Sequence, residues 1–467
     1  VSGWTIETLA AALAGRQVSV AEVVDDCLTR IARLDPVLRA FITVDADGAR
    51  RTARERDAEL ARGRARGPLH GVPVAHKDLC LVPGMPTSCG TATPDYFTGG
   101  VACTAAARLT AAGAVTLGKL NMTELALGPF GDNVHHGNVD NPWRSGHCSG
   151  GSSSGSGAAV AAGLVLGALG SDTGGSIRLP AACCGVVGVK ATYGRVSRAG
   201  VMPLSWSNDH LGPLARTVHD AALLLGVMAG WDTHDPTSSR RRVPDYLAAV
   251  GRGVAGLRVG LPDNHVFDGV DGEVTAAVEA AARTIEAGGA KLVRVRVPDP
   301  AVLVDTTGLV SRAESATIHA GIVRERPHEL GAAVRARLEL GLQVAAHDYL
   351  QASRLRVRLT TAFVDDVLGR VDAIVVPTTP EPAPRYADVT AGSTDDVVAR
   401  MGRFSRLTRP FNGLGLPAVS LPCGFSRLGL PIGLQVIGRP FDEATALAVA
   451  RAYEQASDWV SRRPPLG

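Results

Sequence analysis

The sequence predicts an α/β fold, with helices layered around a largely buried sheet, in one large domain. Three observations carry that expectation. From Gly71 onward, short apolar runs alternate with helical patterns. Of 467 residues, 45% are hydrophobic and 20% charged, which supplies a sizeable core and argues against a disordered chain. No internal repeat is visible, and the proline-rich stretch from Pro377 to Pro384 is too short to part separate domains. We therefore expect a single unit over 1–467, with a helical segment over about 1–65.

The elements follow in order. Ser19-Val20-Ala21-Glu22 is a capping box, in which a hydroxyl and a carboxylate satisfy the exposed N–H groups at a helix start. Behind it Val23, Val24, Cys27, Leu28, Ile31 and Leu34 recur at helical spacing. An Arg/Glu-rich helix over 47–62 reads as a cap or an oligomerisation element. Strands are expected at 72–75, 114–117, 257–261, 292–297, 373–376, 418–421 and 432–437. Helices are expected at 102–112, 273–287 and 443–456.

Composition excludes several function classes. Lys+Arg 48 against Asp+Glu 45 gives a formal charge of +3, no electrostatic footprint for nucleic acid or a membrane surface. Arg240-Arg241-Arg242, the densest basic cluster, reads as a solvated loop. Aromatic residues are only 4%, so stacking platforms for bases or long sugars are scarce. The eight cysteines form no C-x-x-C pair, and Cys183 and Cys184 are adjacent, which suits reduced thiols in a cytoplasm. Val1-Ser2-Gly3-Trp4 has no signal-peptide character, and the run 158–169 falls short of the ~20 apolar residues a bilayer needs.

Three motifs carry chemistry. The tract Cys148-Ser149-Gly150-Gly151-Ser152-Ser153-Ser154-Gly155-Ser156-Gly157 runs straight into a small-residue helix pattern. A flexible linker would not be so short. A loop of glycines and hydroxyls opening a helix brings N–H groups and oxygens close to a ligand. The second motif is Gly170-Ser171-Asp172-Thr173-Gly174-Gly175-Ser176-Ile177-Arg178. Its paired glycines can turn consecutive N–H groups into one concavity just before a serine, the combination acyl transfer needs. Asp172 and Arg178 would brace the turn as an ion pair. The third motif is Gly71-Val72-Pro73-Val74-Ala75-His76-Lys77-Asp78. A lysine ending an apolar strand loses solvation, and a neutral lysine can act as a base. Asp78 is the obvious ion-pair partner if Lys77 is instead a structural residue.

Two apparent motifs are dismissed. Gly151 to Gly155 fits G-x-S-x-G around Ser153, but no strand precedes it. Gly113 to Lys119 fits the start of a phosphate loop, but Leu120 stands where a metal-binding hydroxyl belongs, and the intervening residues read as a strand. No histidine is placed by sequence to serve either serine loop, although His147 lies near the first.

Together the three motifs resemble the amidase signature family. The block from Gly150 to Thr192 is similar to the family's defining region, within a core of about 69–216, and a second stretch runs from Val371 to Glu454 through Asn412-Gly413-Leu414-Gly415-Leu416-Pro417 and the 429–435 segment. The resemblance implies a three-layer α/β/α sandwich around a mixed sheet. It implies a Ser–cisSer–Lys triad, with Ser176 as nucleophile, Ser152 as the bridging serine following a cis Gly151 bond, and Lys77 as base. It further implies an oxyanion hole from the N–H groups of Thr173, Gly174, Gly175 and Ser176, supported by Gly151, Asp172 and Arg178. A substrate pocket at Leu127, Gly128, Phe130, Asn133, Trp206 and Asp209 is carried over from the family's loops. No metal and no cofactor is needed for such chemistry.

The expected activity is hydrolysis of a small carboxamide or anilide through an acyl-enzyme. The same triad can attack carbamate or urea-type carbonyls. The family also holds the A subunit of glutamyl-tRNA amidotransferase, but the segment Arg312-Ala313-Glu314-Ser315-Ala316-Thr317-Ile318-His319 is more similar to stand-alone amidases. An inactive binding homologue would lack a triad residue, and none is missing. His76 and Ser154 depart from common family residues, and a homodimer through the N-terminal helices is compatible with the resemblance.

Overall fold

A computed structural model describes residues 3–466. Among the described residues eleven strands join in one sheet: β1 (Phe41–Val44), β2 (Pro73–Lys77), β3 (Val115–Leu120), β4 (Gly167–Asp172), β5 (Val187–Lys190), β6 (His210–Ala215), β7 (Arg258–Pro262), β8 (Lys291–Val295), β9 (Ala373–Pro377), β10 (Ala418–Phe425) and β11 (Pro431–Gly438). Their order is β1-β3-β2-β4-β6-β5-β10-β11-β9-β7-β8. β2 runs parallel to β3 and β4, and β7 parallel to β8 and β9; the other pairs are antiparallel. The fold is thus an α/β/α sandwich on a mixed sheet, as the resemblance implied.

Central strands are buried along nearly their whole length and show no alternation of exposed and buried residues, because both of their faces are covered. All five residues of β2 are buried, including its His and Lys. The strands and helices expected from periodicity form with boundaries shifted by a few residues, among them the helices Thr104–Ala111, Gly272–Ala287 and Glu443–Gln455. The capping box also forms. Ser19 caps the helix Val20–Leu38, and Glu22 Oε2 accepts from the Ser19 N–H at 2.8 Å.

The N-terminal segment is not wholly helical. Between the helices Val20–Leu38 and Ala46–Ala61, Phe41-Ile42-Thr43-Val44 form edge strand β1 against β3. Four residues are too few to show an alternation, so pairing with β3 decides their conformation. β6 also escapes sequence reading. It pairs with β4 along six residues, yet Pro213 stands opposite Leu169 in mid-strand, where a missing N–H normally argues against a sheet.

The helices Pro300–Ile318, Ala332–Leu342 and Ala346–Phe363 pack together, and the first two wall the cavity described below. No helix among the described residues is long and apolar enough to cross a membrane. All eight cysteines are free and buried.

Candidate active site

Lys77 ends β2, with β3 on one side and β4 on the other, and its side chain is fully buried. Its Nζ donates to Ser152 Oγ at 2.6 Å and to Ser171 Oγ at 2.8 Å. Among the described residues no carboxylate comes within ion-pair distance of it. The adjacent Asp78 is taken instead by Lys119 of β3 at 3.1 Å and by the Ser88 hydroxyl at 2.5 Å. Burial drives the Lys77 pKa down to about 7, against the opposing pull of Cys80, Asp172 and Asp209. His76, one residue earlier, meets Thr116 Oγ1 at 3.0 Å; burial and Lys119 hold its pKa down at about 3.

The Ser152 loop is strapped in place through its backbone. Gly150 and Gly151 donate to the carbonyls of Phe130 and Pro129 at 3.1 and 2.7 Å, and Thr123 donates to the Ser152 carbonyl at 3.2 Å. The Gly151–Ser152 peptide is cis. The next residue ties this loop to the other one: Ser153 N–H donates to the Ser176 carbonyl at 3.2 Å, and Ser153 Oγ donates to the Ser171 carbonyl at 3.1 Å. The tract is therefore ordered, and its helix (Ser154–Ala161) can sit close to neighbouring backbone only with small residues. A Cβ at Gly155 would lie 2.2 Å from the Ala40 carbonyl oxygen.

Asp172, the last residue of β4, organises the Ser176 loop. Its carboxylate accepts from Arg178 Nε and Nη2, each at 3.0 Å, from Gly175 N–H at 2.7 Å and from Asn412 Nδ2 at 2.8 Å. Arg178 goes on to Asn412 Oδ1 at 2.7 Å and Gln435 Oε1 at 3.0 Å. Burial alone would raise the Asp172 pKa; the Arg178 guanidinium, Lys190 and Asn412 hold it well below the usual carboxylate range. Gly175 has φ +135°, a conformation that suits glycine, and a Cβ there would meet Thr408 Oγ1 at 2.3 Å. Its N–H is spent on Asp172. Among the described residues, the N–H groups of Thr173, Gly174 and Ser176 have no backbone or side-chain acceptor.

Ser176 lies at the wall of a cavity of about 190 Å³ together with Thr173, Gly174, Leu127 and Gly128. A neighbouring cavity of about 310 Å³ is lined by Ser171, Thr173, Trp206 and Asp209. Asp209 accepts from Thr173 Oγ1 at 2.6 Å, and burial raises its pKa. Of the six pocket residues expected, two therefore face the Ser176 cavity and two the adjoining one. Phe130 and Asn133 line neither. Phe130 packs on Phe404 with ring centroids 5.2 Å apart, and the Asn133 amide donates to the Gly90 and Met122 carbonyls, both at 2.8 Å.

Sequence reasoning missed Ser171, although it sits inside the second motif, and it missed the far wall of the cavity: Ser311, Arg312, Arg337, Met401 and Arg409. No local pattern marks those residues. Arg409 stands three positions before the quoted Asn412, and Arg312 opens the quoted 312–319 segment, but neither was singled out as a site residue. Among the described residues no group of three His, Cys, Asp or Glu side chains is placed to hold a metal ion.

A family model described as Amidase matches residues 22–447. The chain belongs to the amidase signature family. Among curated relatives, this amidase signature chain is 41% identical to the A subunit of the glutamyl-tRNA(Gln) amidotransferase of Methylococcus capsulatus, with 98% of each chain covered. Among solved structures, it matches a chain from a vestigial protein complex tied to the evolutionary origins of an s-triazine catabolic enzyme, with TM-score 0.91 and 33% identity over 99% of this chain and 100% of that one. It matches a bacterial aryl acylamidase of the amidase signature family with TM-score 0.89 and 27% identity, covering 99% of both.

Proposed function

We propose that this amidase signature chain hydrolyses the carbon–nitrogen bond of a small carboxamide through a Ser176 acyl-enzyme. The observation that supports it best is a buried lysine that has no ion-pair partner among the described residues and is bonded to Ser152 Oγ at 2.6 Å. A lysine so placed is uncharged for much of its time near neutral pH, and of its two hydroxyl partners, Ser152 and Ser171, the nearer is Ser152.

In this mechanism neutral Lys77 Nζ accepts the Ser152 proton as Ser152 Oγ accepts the proton of Ser176. Ser176 Oγ then bonds to the substrate carbonyl carbon. The oxyanion collects the N–H groups of Thr173, Gly174 and Ser176. The Gly175 N–H, already held by Asp172, contributes by fixing the loop rather than by donating to the oxyanion. As the C–N bond breaks, the relay returns the proton to the leaving nitrogen. Water, deprotonated through the same relay, attacks the ester, the carboxylic acid leaves and Ser176 regains its proton. Anilides, carbamates and urea-type carbonyls present the same electrophile. A panel of primary amides, anilides and carbamates tests the reading: turnover should vanish in Ser176→Ala, and a variant as active as the parent would overturn it.

A second reading is release of ammonia from glutamine for a partner enzyme, favoured by the amidotransferase A subunits among the curated relatives. Glutaminase activity that appears only with co-purified subunits would select it over the stand-alone hydrolase.

A further inference from the structure

Cys80 and Cys103 stand together just beyond Lys77, and the acyl-transfer mechanism uses neither. The Cys80 N–H donates to the Lys77 carbonyl at 3.0 Å, which closes the turn that ends β2. Backbone bonds knit three segments around the pair. The Cys103 N–H donates to the Leu81 carbonyl at 2.8 Å, the Leu81 N–H to the Gly200 carbonyl at 2.9 Å and the Thr104 N–H to the Ala199 carbonyl at 3.2 Å, while Cys80 bridges Val201. Both side chains are fully buried, and the Cys80 thiol donates to the Cys103 sulfur.

The two thiols are chemically unequal. Burial pushes the Cys80 thiol far up, as it does every other cysteine but Cys103. Cys103 goes the other way. The Cys80 S–H holds its thiol below the usual range against burial, helped by the Ala106 and Ala105 amides at the start of the helix Thr104–Ala111 and by Lys119. A thiolate beside a thiol is the arrangement in which one sulfur is oxidised and the other resolves it. Access comes from the cavity of about 310 Å³ beside Ser171, because Leu79, Ala199 and Val201, which flank the pair along the backbone, all line it. Hydrogen peroxide needs little more room than a water.

We infer that Cys80 and Cys103 form a peroxide-reactive dithiol site, and that its closure to a disulfide slows the reaction at Lys77. The Cys103 thiolate attacks one oxygen of hydrogen peroxide. The O–O bond breaks, a sulfenic acid forms on Cys103, and the departing hydroxide takes up a proton to become water. The Cys80 thiol then gives up its proton and bonds to the Cys103 sulfur, and the sulfenic hydroxyl leaves as a second water. The two electrons lost by the sulfurs reduce the peroxide. Closure replaces a contact by a covalent bond of fixed geometry, so it pulls on Cys80, and the Lys77–Cys80 turn carries that displacement to the amine. A misplaced base costs turnover steeply. This consequence rests on the amide-hydrolysis reading above, since it needs Lys77 as the base.

The native full-length protein, treated with hydrogen peroxide and then unfolded in the presence of an alkylating agent, tests this by mass. Of the eight cysteines, two should escape alkylation, and digestion should yield one cross-linked species joining Cys80 to Cys103 that dithiothreitol releases. In Cys80→Ser the sulfenic acid should persist on Cys103 and react with dimedone, whereas Cys103→Ala should leave Cys80 unlabelled. Turnover of the parent should fall about tenfold on oxidation and return with reductant. Cys103→Ala, checked for folding by its melting temperature, should be insensitive to the same treatment. Eight alkylated cysteines after peroxide, a cross-link between another pair, or a Cys103→Ala enzyme that loses as much activity as the parent would overturn the inference. So would a Cys80–Cys103 bond that leaves turnover unchanged. If the reduced protein cleaves no amide, the hydrolysis reading fails, and the mapped cross-link still decides whether the dithiol site exists.

Discussion

Lys119 of β3 holds the carboxylate of Asp78 at 3.1 Å, and so leaves Lys77, the residue next to Asp78 in the chain, without an acidic ion-pair partner among the described residues. Successive residues at a strand end point to opposite sides, so the nearest carboxylate in sequence is not the nearest in space. The consequence is electrostatic. With no carboxylate in ion-pair contact among the described residues, burial outweighs the more distant pull of Cys80, Asp172 and Asp209 and brings the Lys77 pKa to about 7.

Replacing Lys77 removes the proposed base. Lys77→Met should lower kcat by about 10²- to 10⁴-fold with a smaller change in KM. Lys77→Arg should be no better, since a guanidinium stays charged at any working pH. Steady-state kinetics on any cleaved amide give the answer, and an active Lys77→Arg enzyme would exclude a neutral base at this position.

The pH dependence follows from the direction of the same shift. The mechanism needs the unprotonated amine, so kcat/KM should be low in acid and rise with pH to a plateau above about 7. An unperturbed lysine would place that limb near about 10.4. A pH–rate profile of the parent enzyme distinguishes the two.

Lys77 should also cost stability. Its folded pKa lies below its unfolded value, so between about 7 and about 10 the unfolded chain binds more protons, and stability rises with pH across that window. Lys77→Met should therefore be more stable than the parent at pH 7, by about 2–4 kcal/mol after allowing for the hydrogen bonds lost to Ser152 and Ser171. The advantage should fade towards pH 10. Denaturant melts at the two pH values measure it.

Asp172 supports the Ser176 loop rather than reacting. Asp172→Ala leaves the buried Arg178 guanidinium without its carboxylate, which should cost about 3–5 kcal/mol, while Asn412→Ala, which removes a neutral partner, should cost about 1–2 kcal/mol. Chemical denaturation of both variants tests the ranking. Equal losses would mean that the ion pair is not what braces the loop.

How far these relationships could be read in the sequence depended on how local they are. Lys77, Ser152 and Ser176 each sit in a short tract whose glycines, hydroxyls or apolar run bear on the chemistry directly, and the chain brings Lys77 and Ser152 into contact. The Asp172–Arg178 pair was legible because both residues belong to one turn. Ser171 was not singled out, because only the placement of β4 beside β2 shows that it reaches Lys77. β6 was hidden by Pro213, and β1 by its length. The arginine wall depends on helices that begin more than a hundred residues after the serine loops, and nothing in their amphipathic pattern says which cavity they close.

Covalent labelling tests the central claim most directly. A fluorophosphonate should add one mass increment to the intact chain, mapped to Ser176, at a rate that climbs as pH passes about 7 and collapses in Ser152→Ala and Lys77→Met. An adduct on any other residue, or a Ser176 that labels at the same rate without Lys77, would contradict the account.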